Sequence, residues 1–223
     1  MMKNKKLLIL LGVLCLINFA GHLFVYPSLP DTVPTHWGFD GQPDGWGSKS
    51  SILFLAALPF LMLLLIGALP KLDPKGSNFQ RFQPVYRIFL VLLTLFMCGV
   101  SWLTEMTVFG LMPFGGESGV NLLIVGGLGL FFLIVGNYMP RIKQNYTFGC
   151  RTPWALNDEH NWERTQRMGG IVFVIMGIAL LVAALFSTLL GETLTLILLV
   201  GSILGGILWI FVYSYLVYLG KMK

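Results

Sequence analysis

Apolar residues dominate six stretches of the chain, and polar or charged residues fall between them. A transmembrane helix needs about 20 mainly apolar residues to cross the hydrocarbon core of a bilayer. Continuous apolar runs without strict alternation favour helices over a barrel, because lipid requires every backbone group to be paired. The pattern predicts an all-α, polytopic membrane protein built as a bundle of six transmembrane helices. The predicted spans are 7–26, 52–69, 86–109, 119–139, 169–190 and 194–219.

Composition supports a membrane protein and argues against a soluble domain. The chain is 56% hydrophobic and 11% charged, whereas a soluble domain carries about 25% charged residues. The formal net charge is +5, but the basic residues are dispersed between apolar runs and form no stripe suited to a nucleic acid. We therefore expect contact with membrane lipids and no direct nucleic-acid binding.

The distribution of basic residues orients the bundle. Of the 15 Lys and Arg residues, Lys49 alone falls in a predicted outer loop, and loops rich in Lys and Arg face the cytoplasm. Acidic residues show the opposite distribution, because half of the ten lie in the predicted outer loops. They are Asp31, Asp40, Asp44, Glu117 and Glu192. Both termini are predicted inside, with an uncleaved first span because no signal-peptidase site follows it.

Two loops are long enough to carry specificity, and they divide the chain into three predicted units. The outer loop 27–51 belongs to an N-terminal unit 1–69, spans three and four form a unit 70–139, and the inner loop 140–168 opens a C-terminal unit 140–223. Ligand-binding residues concentrate on loops that a rigid scaffold positions. The functional residues are therefore expected in these two loops.

The outer loop is dense in Pro, Gly and Asp, which predicts a compact, ordered segment. Residues 33–39 are expected to form a short extended stretch, and Trp37, Phe39 and Trp46 suit the headgroup level. No other outer segment is large enough to shape a binding site. The residues predicted to contact an extracellular ligand are Pro34, His36, Trp37, Asp44 and Lys49.

Metal binding is an alternative interpretation of this loop. Asp40, Gln42 and Asp44 follow the first half of a calcium-binding EF-hand loop, but Ser51 stands where that loop requires a bidentate Glu. His36 with neighbouring Asp residues lacks the ligand spacing that is diagnostic of a transition metal. We predict neither a metal nor a cofactor.

The inner loop is predicted to contain a short helix. Asn157 suits an N-cap, and Arg167 lies near the expected helix end. Gly169 and Gly170 would then let the chain change direction before span five. Two tryptophans suit an interfacial position on this helix, Trp154 and Trp162. The Arg residues either contact anionic headgroups or form part of a unit that couples the bundle to a cytoplasmic partner.

Polar residues inside the predicted spans fall in one layer near the outer surface. His22 and Asn18 share a helix face by their i, i+4 spacing, and so do Glu105 and Ser101. They either form a small polar cluster or extend separately to the interface, and separate extension is the expectation. In span six, two pairs of small residues spaced by four predict close helix packing, within the chain or in a homo-oligomer. The pairs are Gly201 with Gly205 and Ser202 with Gly206.

The two loops carry a family resemblance. The outer stretch contains Val33-Pro34-Thr35-His36, Gly41-Gln42-Pro43-Asp44 and Lys49. The inner stretch contains Gly149, Arg151, Thr152, Pro153, Trp154, Trp162, Thr165 and Arg167. These motifs resemble the SdpI family, bacterial immunity proteins against a secreted sporulation-delaying peptide toxin, and the outer motif resembles its N-terminal domain of unknown function. The chain departs from the family pattern at Ala155 and Gln166, where Thr and His are common.

The resemblance implies toxin resistance at the bacterial cytoplasmic membrane. At least one family member also receives the toxin as a signal and then captures a cytoplasmic transcriptional repressor, so the resemblance implies a signalling role as well. The expected partners are thus an extracellular peptide toxin and a cytoplasmic repressor. A small-solute transporter or channel is the alternative function. An enzyme ranks third, because the chain lacks the His-Glu-x-x-His and Gly-x-Ser-x-Gly motifs and has no paired intramembrane carboxylates. We therefore predict that the protein has no catalytic residues.

Overall fold

The computed structural model describes residues 5–38, 40–113 and 116–222. Within these residues the chain forms ten α-helices and one antiparallel pair of strands. The helices are α1 (Lys5–Val25), α2 (Ser51–Leu72), α3 (Gln83–Ser101), α4 (Leu103–Val108), α5 (Gly116–Asn121), α6 (Gly127–Tyr138), α7 (Pro153–Asn157), α8 (Glu159–Leu185), α9 (Ser187–Leu196) and α10 (Ser202–Tyr218). The strands are β1 (Thr32–Trp37) and β2 (Pro43–Ser48). Predictions that involve Lys3, Phe39, Lys223 and the side chains of Glu117 and Glu192 lie outside the described residues.

Six helical segments of the described chain are long and apolar enough to cross a membrane, which confirms the predicted all-α, six-span architecture. In chain order these spans are Lys5–Ser28, Ser51–Leu72, Gln83–Val108, Ser118–Arg141, Glu159–Leu185 and Thr193–Tyr218. Span three has a break at Trp102, between α3 and α4. Spans four and six each contain a π-helical turn, at Leu122–Gly126 and Ile197–Gly201.

The fifth span begins ten residues earlier than the sequence pattern predicts. α8 runs without interruption from Glu159 to Leu185, and Asp158 caps it by accepting a hydrogen bond from the Asn161 backbone N–H at 2.7 Å. Asn157 instead ends the short helix α7. The predicted N-cap at Asn157 is therefore wrong by one residue, because Asp158 has the extended backbone that a cap requires.

Gly169 and Gly170 do not redirect the chain, contrary to the prediction, because both lie inside the continuous helix α8. A Cβ atom on Gly170 would lie 2.8 Å from the Gly136 carbonyl oxygen, and one on Gly177 would lie 2.7 Å from the Gly129 carbonyl oxygen. These glycines bring the backbones of spans four and five into contact. Small residues at a membrane helix interface permit this approach.

Span six has a similar glycine pattern but packs differently. Within the described chain no atom approaches the position of a Cβ on Gly205 within 4 Å, and the one neighbour of a Cβ on Gly201 is Ile197 of the same span at 4.0 Å. Of these span-six glycines, Gly206 alone meets another span, since a Cβ there would lie 2.7 Å from Met176 Sδ. The predicted close approach is wrong for Gly201 and Gly205 within one chain, and the homo-oligomer alternative stays a prediction.

The outer loop forms a β-hairpin, which adds a small sheet to the helical bundle. β1 and β2 pair antiparallel, with Thr32 opposite Ser48. The turn is closed by the Gly38 N–H, which donates to the Gln42 carbonyl at 2.9 Å. Gly41 has a positive φ of 82°, which favours glycine. The predicted extended stretch is present, and it ends at Trp37.

The largest apolar core lies at the inner half of the bundle. Its aromatic members come from the 76–89 segment and from the inner loop, with Phe82 and Phe148 stacked at a centroid distance of 6.1 Å. The Tyr86 hydroxyl donates to the Ile66 carbonyl of span two. Trp162 is fully buried in the same core. The inner loop is therefore packed into the bundle and closes the inner end of its apolar core.

Candidate functional site

The hairpin is fixed to the outer ends of the spans. Thr104 donates a hydrogen bond from its hydroxyl to the Pro34 carbonyl at 3.1 Å, and Val33 is fully buried. Lys49 forms an ion pair with Asp31 at 2.9 Å. The Lys49 ammonium beside Asp31 holds the pKa of that carboxyl below its ordinary value. The predicted residue Pro34 thus attaches the hairpin to span three, and the predicted residue Lys49 closes the base of the hairpin through Asp31.

His36 and Asp44 form the exposed polar pair of the hairpin. His36 Nδ1 lies 2.5 Å from Asp44 Oδ1, and the two side chains are 73% and 52% exposed. Asp40 Oδ1 accepts from the Gln42 backbone N–H at 2.9 Å. Among the described residues no three His, Cys, Asp or Glu side chains come together as a metal-ligand group. The pair leaves an imidazole and a carboxylate accessible on the surface of the hairpin.

A cavity of about 520 Å³ lies between the hairpin and the outer ends of spans three and four. Its walls include Trp37, Gln42 and Pro43 from the hairpin, with Thr107 and Met112 opposite them. The Trp37 indole N–H is buried and has no hydrogen-bond partner among the described residues. Because buried N–H groups are normally satisfied, this donor suggests a ligand acceptor.

A buried polar cluster joins spans one and three just below the hairpin. His22 and Glu105 are 0% and 2% exposed and contact each other through Nδ1 and Oε1. His22 also stacks on Trp102 at a centroid distance of 4.0 Å. The Trp102 indole donates to Asn18 Oδ1 at 2.8 Å. The prediction of separate extension to the interface is therefore wrong, because Asn18, His22 and Glu105 each contact a side chain of the other span. Glu105 Oε2 is buried and has no hydrogen-bond partner among the described residues.

Ser101 links the polar cluster to the backbone of span three. Its hydroxyl oxygen lies 2.7 Å from the Cys98 carbonyl oxygen and 3.1 Å from His22 Nε2, and it accepts from Asn18 Nδ2 at 3.2 Å. The other imidazole nitrogen, Nδ1, contacts Glu105. Both nitrogens of His22 therefore have a polar partner inside the bundle.

The inner motif forms a second buried network, between the inner loop and spans five and six. Thr152 Oγ1 lies 2.5 Å from Ser214 Oγ, and Asn161 Nδ2 donates to the Ser214 carbonyl at 2.9 Å. The Thr165 hydroxyl donates to Asn161 Oδ1 at 2.9 Å. Thr152, Asn161 and Thr165 are at most 1% exposed. The predicted motif residue Thr152 therefore holds the loop against span six, and Thr165 supports Asn161, which bonds the same span.

The tryptophans of the inner motif differ in their environments. Trp162 is fully buried and donates from its indole N–H to the Ile142 carbonyl at 2.8 Å. Its predicted interfacial position is wrong, because α8 turns this side chain toward the core. Trp154 is partly exposed, follows Pro153 in α7 and packs on Tyr215 at a centroid distance of 5.0 Å.

The two arginines of the inner motif are exposed. Arg151 donates from Nη1 to the Tyr146 carbonyl at 2.9 Å, which is its one hydrogen bond to the described chain. Arg167 lies on α8, one helical turn beyond Glu163, which pairs with Lys143 at 2.9 Å. These guanidinium groups remain accessible to a partner at the inner face.

Several residues that organise the inner loop were missed by sequence reasoning. Asp73 Oδ2 accepts from the Tyr146 N–H at 2.8 Å and from the Thr147 hydroxyl at 2.7 Å. Gln166 Nε2 donates to the Cys150 carbonyl at 2.8 Å, and its Oε1 accepts from the Cys150 N–H at 3.1 Å. Asp73 directly follows Leu72, the last residue of span two. Its position at the end of an apolar run was the sequence feature that could have identified it. Gln166 was noted as a departure from the family pattern, but no local signal indicated its contact with Cys150.

Comparisons with known proteins match both candidate regions. A family model described as the SdpI/YfhL protein family matches residues 141–214, and a domain of unknown function, DUF1648, matches residues 13–63. The chain is 30% identical over 196 residues, 88% of each chain, to the immunity protein SdpI of Bacillus subtilis strain 168. It is 43% identical over 47 residues, 19% of this chain and 26% of the other, to an uncharacterized protein of Archaeoglobus fulgidus. No solved structure matches the chain significantly.

Proposed function

Because the chain belongs to the SdpI/YfhL protein family, we propose that it is an immunity protein of the bacterial cytoplasmic membrane that confers resistance to a secreted antimicrobial peptide. The observation that carries this proposal is the 30% identity, over 88% of both chains, to an immunity protein. The two family matches include the outer hairpin and most of the inner loop. The family is not a known enzyme family, so catalysis is no part of the proposal.

The outer cavity is the peptide-binding site in this proposal. It is already formed, because Thr104 and the Asp31–Lys49 pair hold the hairpin in place, and a preformed site loses less entropy on binding. The unpartnered indole N–H of Trp37 supplies a donor for a peptide carbonyl. His36 precedes Trp37 on the same strand and is exposed, so it supplies a polar contact for a part of the peptide that extends beyond the cavity.

The inner loop is the signalling surface in this proposal. Buried hydrogen bonds to span six hold the loop in one arrangement, and Arg151 and Arg167 remain exposed on it. Guanidinium groups suit recognition of carboxylates by forked hydrogen bonds. We expect a cytoplasmic repressor to present an acidic group to these two side chains.

The test is expression in a host that is sensitive to the sporulation-delaying peptide toxin. Survival and membrane potential are measured while the purified peptide is added in increasing concentration. Trp37→Phe removes the N–H donor and keeps an aromatic ring, so we expect about a fivefold lower tolerated concentration, since one hydrogen bond contributes about 1 kcal/mol. The double variant His36→Ala/Trp37→Ala should lose most of the protection.

The matched control is Trp46→Phe, because Trp46 lies on the partner strand, is 62% exposed and does not line the cavity. It should protect as well as the unmodified chain, and all variants should reach equal membrane abundance by immunoblot. Full protection by the double variant would move the peptide site away from the hairpin. Solute uptake without any protection would favour the transporter alternative.

A further inference from the structure

Two cavities adjoin each other at the inner end of spans one and two. One has a volume of about 160 Å³ and the other about 230 Å³. Leu8, Gly67 and Lys71 line both cavities, so the two spaces form one groove, here called the inner groove. It starts at the inner surface and extends toward the membrane centre, because its walls on span one run from Lys5 to Gly12.

The deep part of the inner groove is apolar and is kept open by glycines. Its walls include Phe60 and Leu63 from span two. A Cβ on Gly67 would have its nearest neighbour at 3.5 Å, on Leu8, and a Cβ on Gly12 would have Phe60 at 3.9 Å. Both positions thus have room for a larger side chain. A groove with this lining accommodates hydrocarbon.

The mouth of the inner groove is cationic. Lys5 and Lys71 line it, with the amide side chains of Gln80 and Gln83 beside them. Both lysines are exposed, and neither forms an ion pair with another described residue, whereas Lys49 and Lys143 each have a carboxylate partner. Lysines at the end of an apolar span lie at the headgroup level.

We propose that the inner groove binds an anionic phospholipid of the inner leaflet. The phosphate lies at Lys5 and Lys71, and one acyl chain runs along Gly67 and Gly12. Basic pockets between helices on the cytoplasmic side suit anionic headgroups, and each Lys near the surface contributes about 1 kcal/mol to such binding. The groove combines an apolar deep part, which suits an acyl chain, with a cationic mouth, which suits a phosphate. It therefore favours a phospholipid over a free phosphate. This site is separate from the proposed peptide and repressor surfaces.

The experiment uses the full chain purified in detergent and titrated with dioleoyl phosphatidylglycerol or dioleoyl phosphatidylcholine. Native mass spectrometry measures the bound lipid. The unmodified chain should retain phosphatidylglycerol in preference to phosphatidylcholine. Lys5→Gln and Lys71→Gln should each lower phosphatidylglycerol affinity about fivefold, as the loss of one surface charge predicts. Gly67→Leu should fill the groove and abolish retention.

Two control variants lie away from the groove. Lys221→Gln removes one charge from the same side, and Gly205→Leu adds a side chain where no atom lies within 4 Å; both should retain phosphatidylglycerol normally. If Gly67→Leu unfolds in a thermal scan, Gly12→Leu replaces it. Equal retention of both lipids, unchanged affinity in the Lys5→Gln/Lys71→Gln variant, or full displacement by glycerol 3-phosphate at equal concentration would each overturn the proposal.

Discussion

The outer hairpin and the inner loop satisfy their backbone hydrogen bonds in different ways. In the hairpin, strand pairing satisfies the backbone, so side chains such as His36 are left exposed. Residues 142–152 of the inner loop have no helix or strand. Buried side chains such as Asp73 and Gln166 therefore bond the loop backbone directly. Buried backbone groups need partners in either case.

This difference changes how the two motifs are interpreted. In the outer motif, His36 and Trp37 are available to a ligand, while Pro34 is tied to span three. In the inner motif, Thr152 is buried and structural, and Arg151 is exposed. Substitutions in the inner motif should thus act mainly on folding, and those in the outer motif mainly on recognition.

The largest expected effect concerns the sidedness of the two regions. Ser48→Cys should react completely with a membrane-impermeant maleimide on intact cells, and Asn157→Cys should react only after permeabilisation. Endogenous Cys150 gives no background at pH 8, because burial raises its pKa to about 12 and the thiolate is the reactive form. Labelling of Asn157→Cys on intact cells would place the inner loop outside the cell. The contrast between an extracellular hairpin and a cytoplasmic loop would then be wrong.

The second prediction compares one tryptophan from each region. Trp162→Ala should lower the free energy of unfolding by about 3–5 kcal/mol, because it leaves a cavity and an unpaired Ile142 carbonyl. Trp46→Ala should change it by less than about 0.5 kcal/mol, since Trp46 is 62% exposed. Thermal unfolding of the detergent-solubilised protein measures both. Equal losses would show that the hairpin is as integral to folding as the loop.

The third prediction concerns the buried cluster beneath the hairpin. Glu105→Ala should destabilise the protein by about 3 kcal/mol, because it leaves His22 without its partner in an apolar environment. The double variant His22→Leu/Glu105→Leu should regain part of that loss, since two apolar side chains need no polar partner. Thermal unfolding of the unmodified chain, Glu105→Ala and the double variant measures these differences in stability. A double variant no more stable than Glu105→Ala would contradict the explanation that an unpartnered, buried His22 causes the loss.

The smallest expected effect is at Arg151. One nitrogen donates to the Tyr146 carbonyl, and a Lys ammonium can form a single bond of that kind, so Arg151→Lys should keep normal abundance and protection. Arg151→Ala should keep abundance and lower signalling, measured with a reporter under repressor control. In the same reporter, Arg151→Lys should fail nearly as badly as Arg151→Ala, because the proposed contact with a repressor carboxylate needs the forked guanidinium. Full signalling by Arg151→Lys would contradict that contact.

Local sequence information was sufficient for elements whose physical cause is local. Span positions depend on the length of apolar runs, and the extended stretch before Trp37 depends on turn residues within the same loop. The number of residues between each side chain and the inner end of its span also put His22 and Glu105 in the correct layer. The spacing did not reveal that they touch, because that contact depends on how spans one and three are rotated against each other.

The sequence by itself determined the six spans, and it predicted their sidedness and the two loops expected to carry function, because hydrophobicity and charge act against the membrane residue by residue. Only the tertiary structure decided that Trp162 is buried, that Gly136 and Gly170 meet, and that Gln166 bonds Cys150. Each of these contacts joins residues far apart along the chain. The packing of all six helices sets their register, which no local pattern encodes.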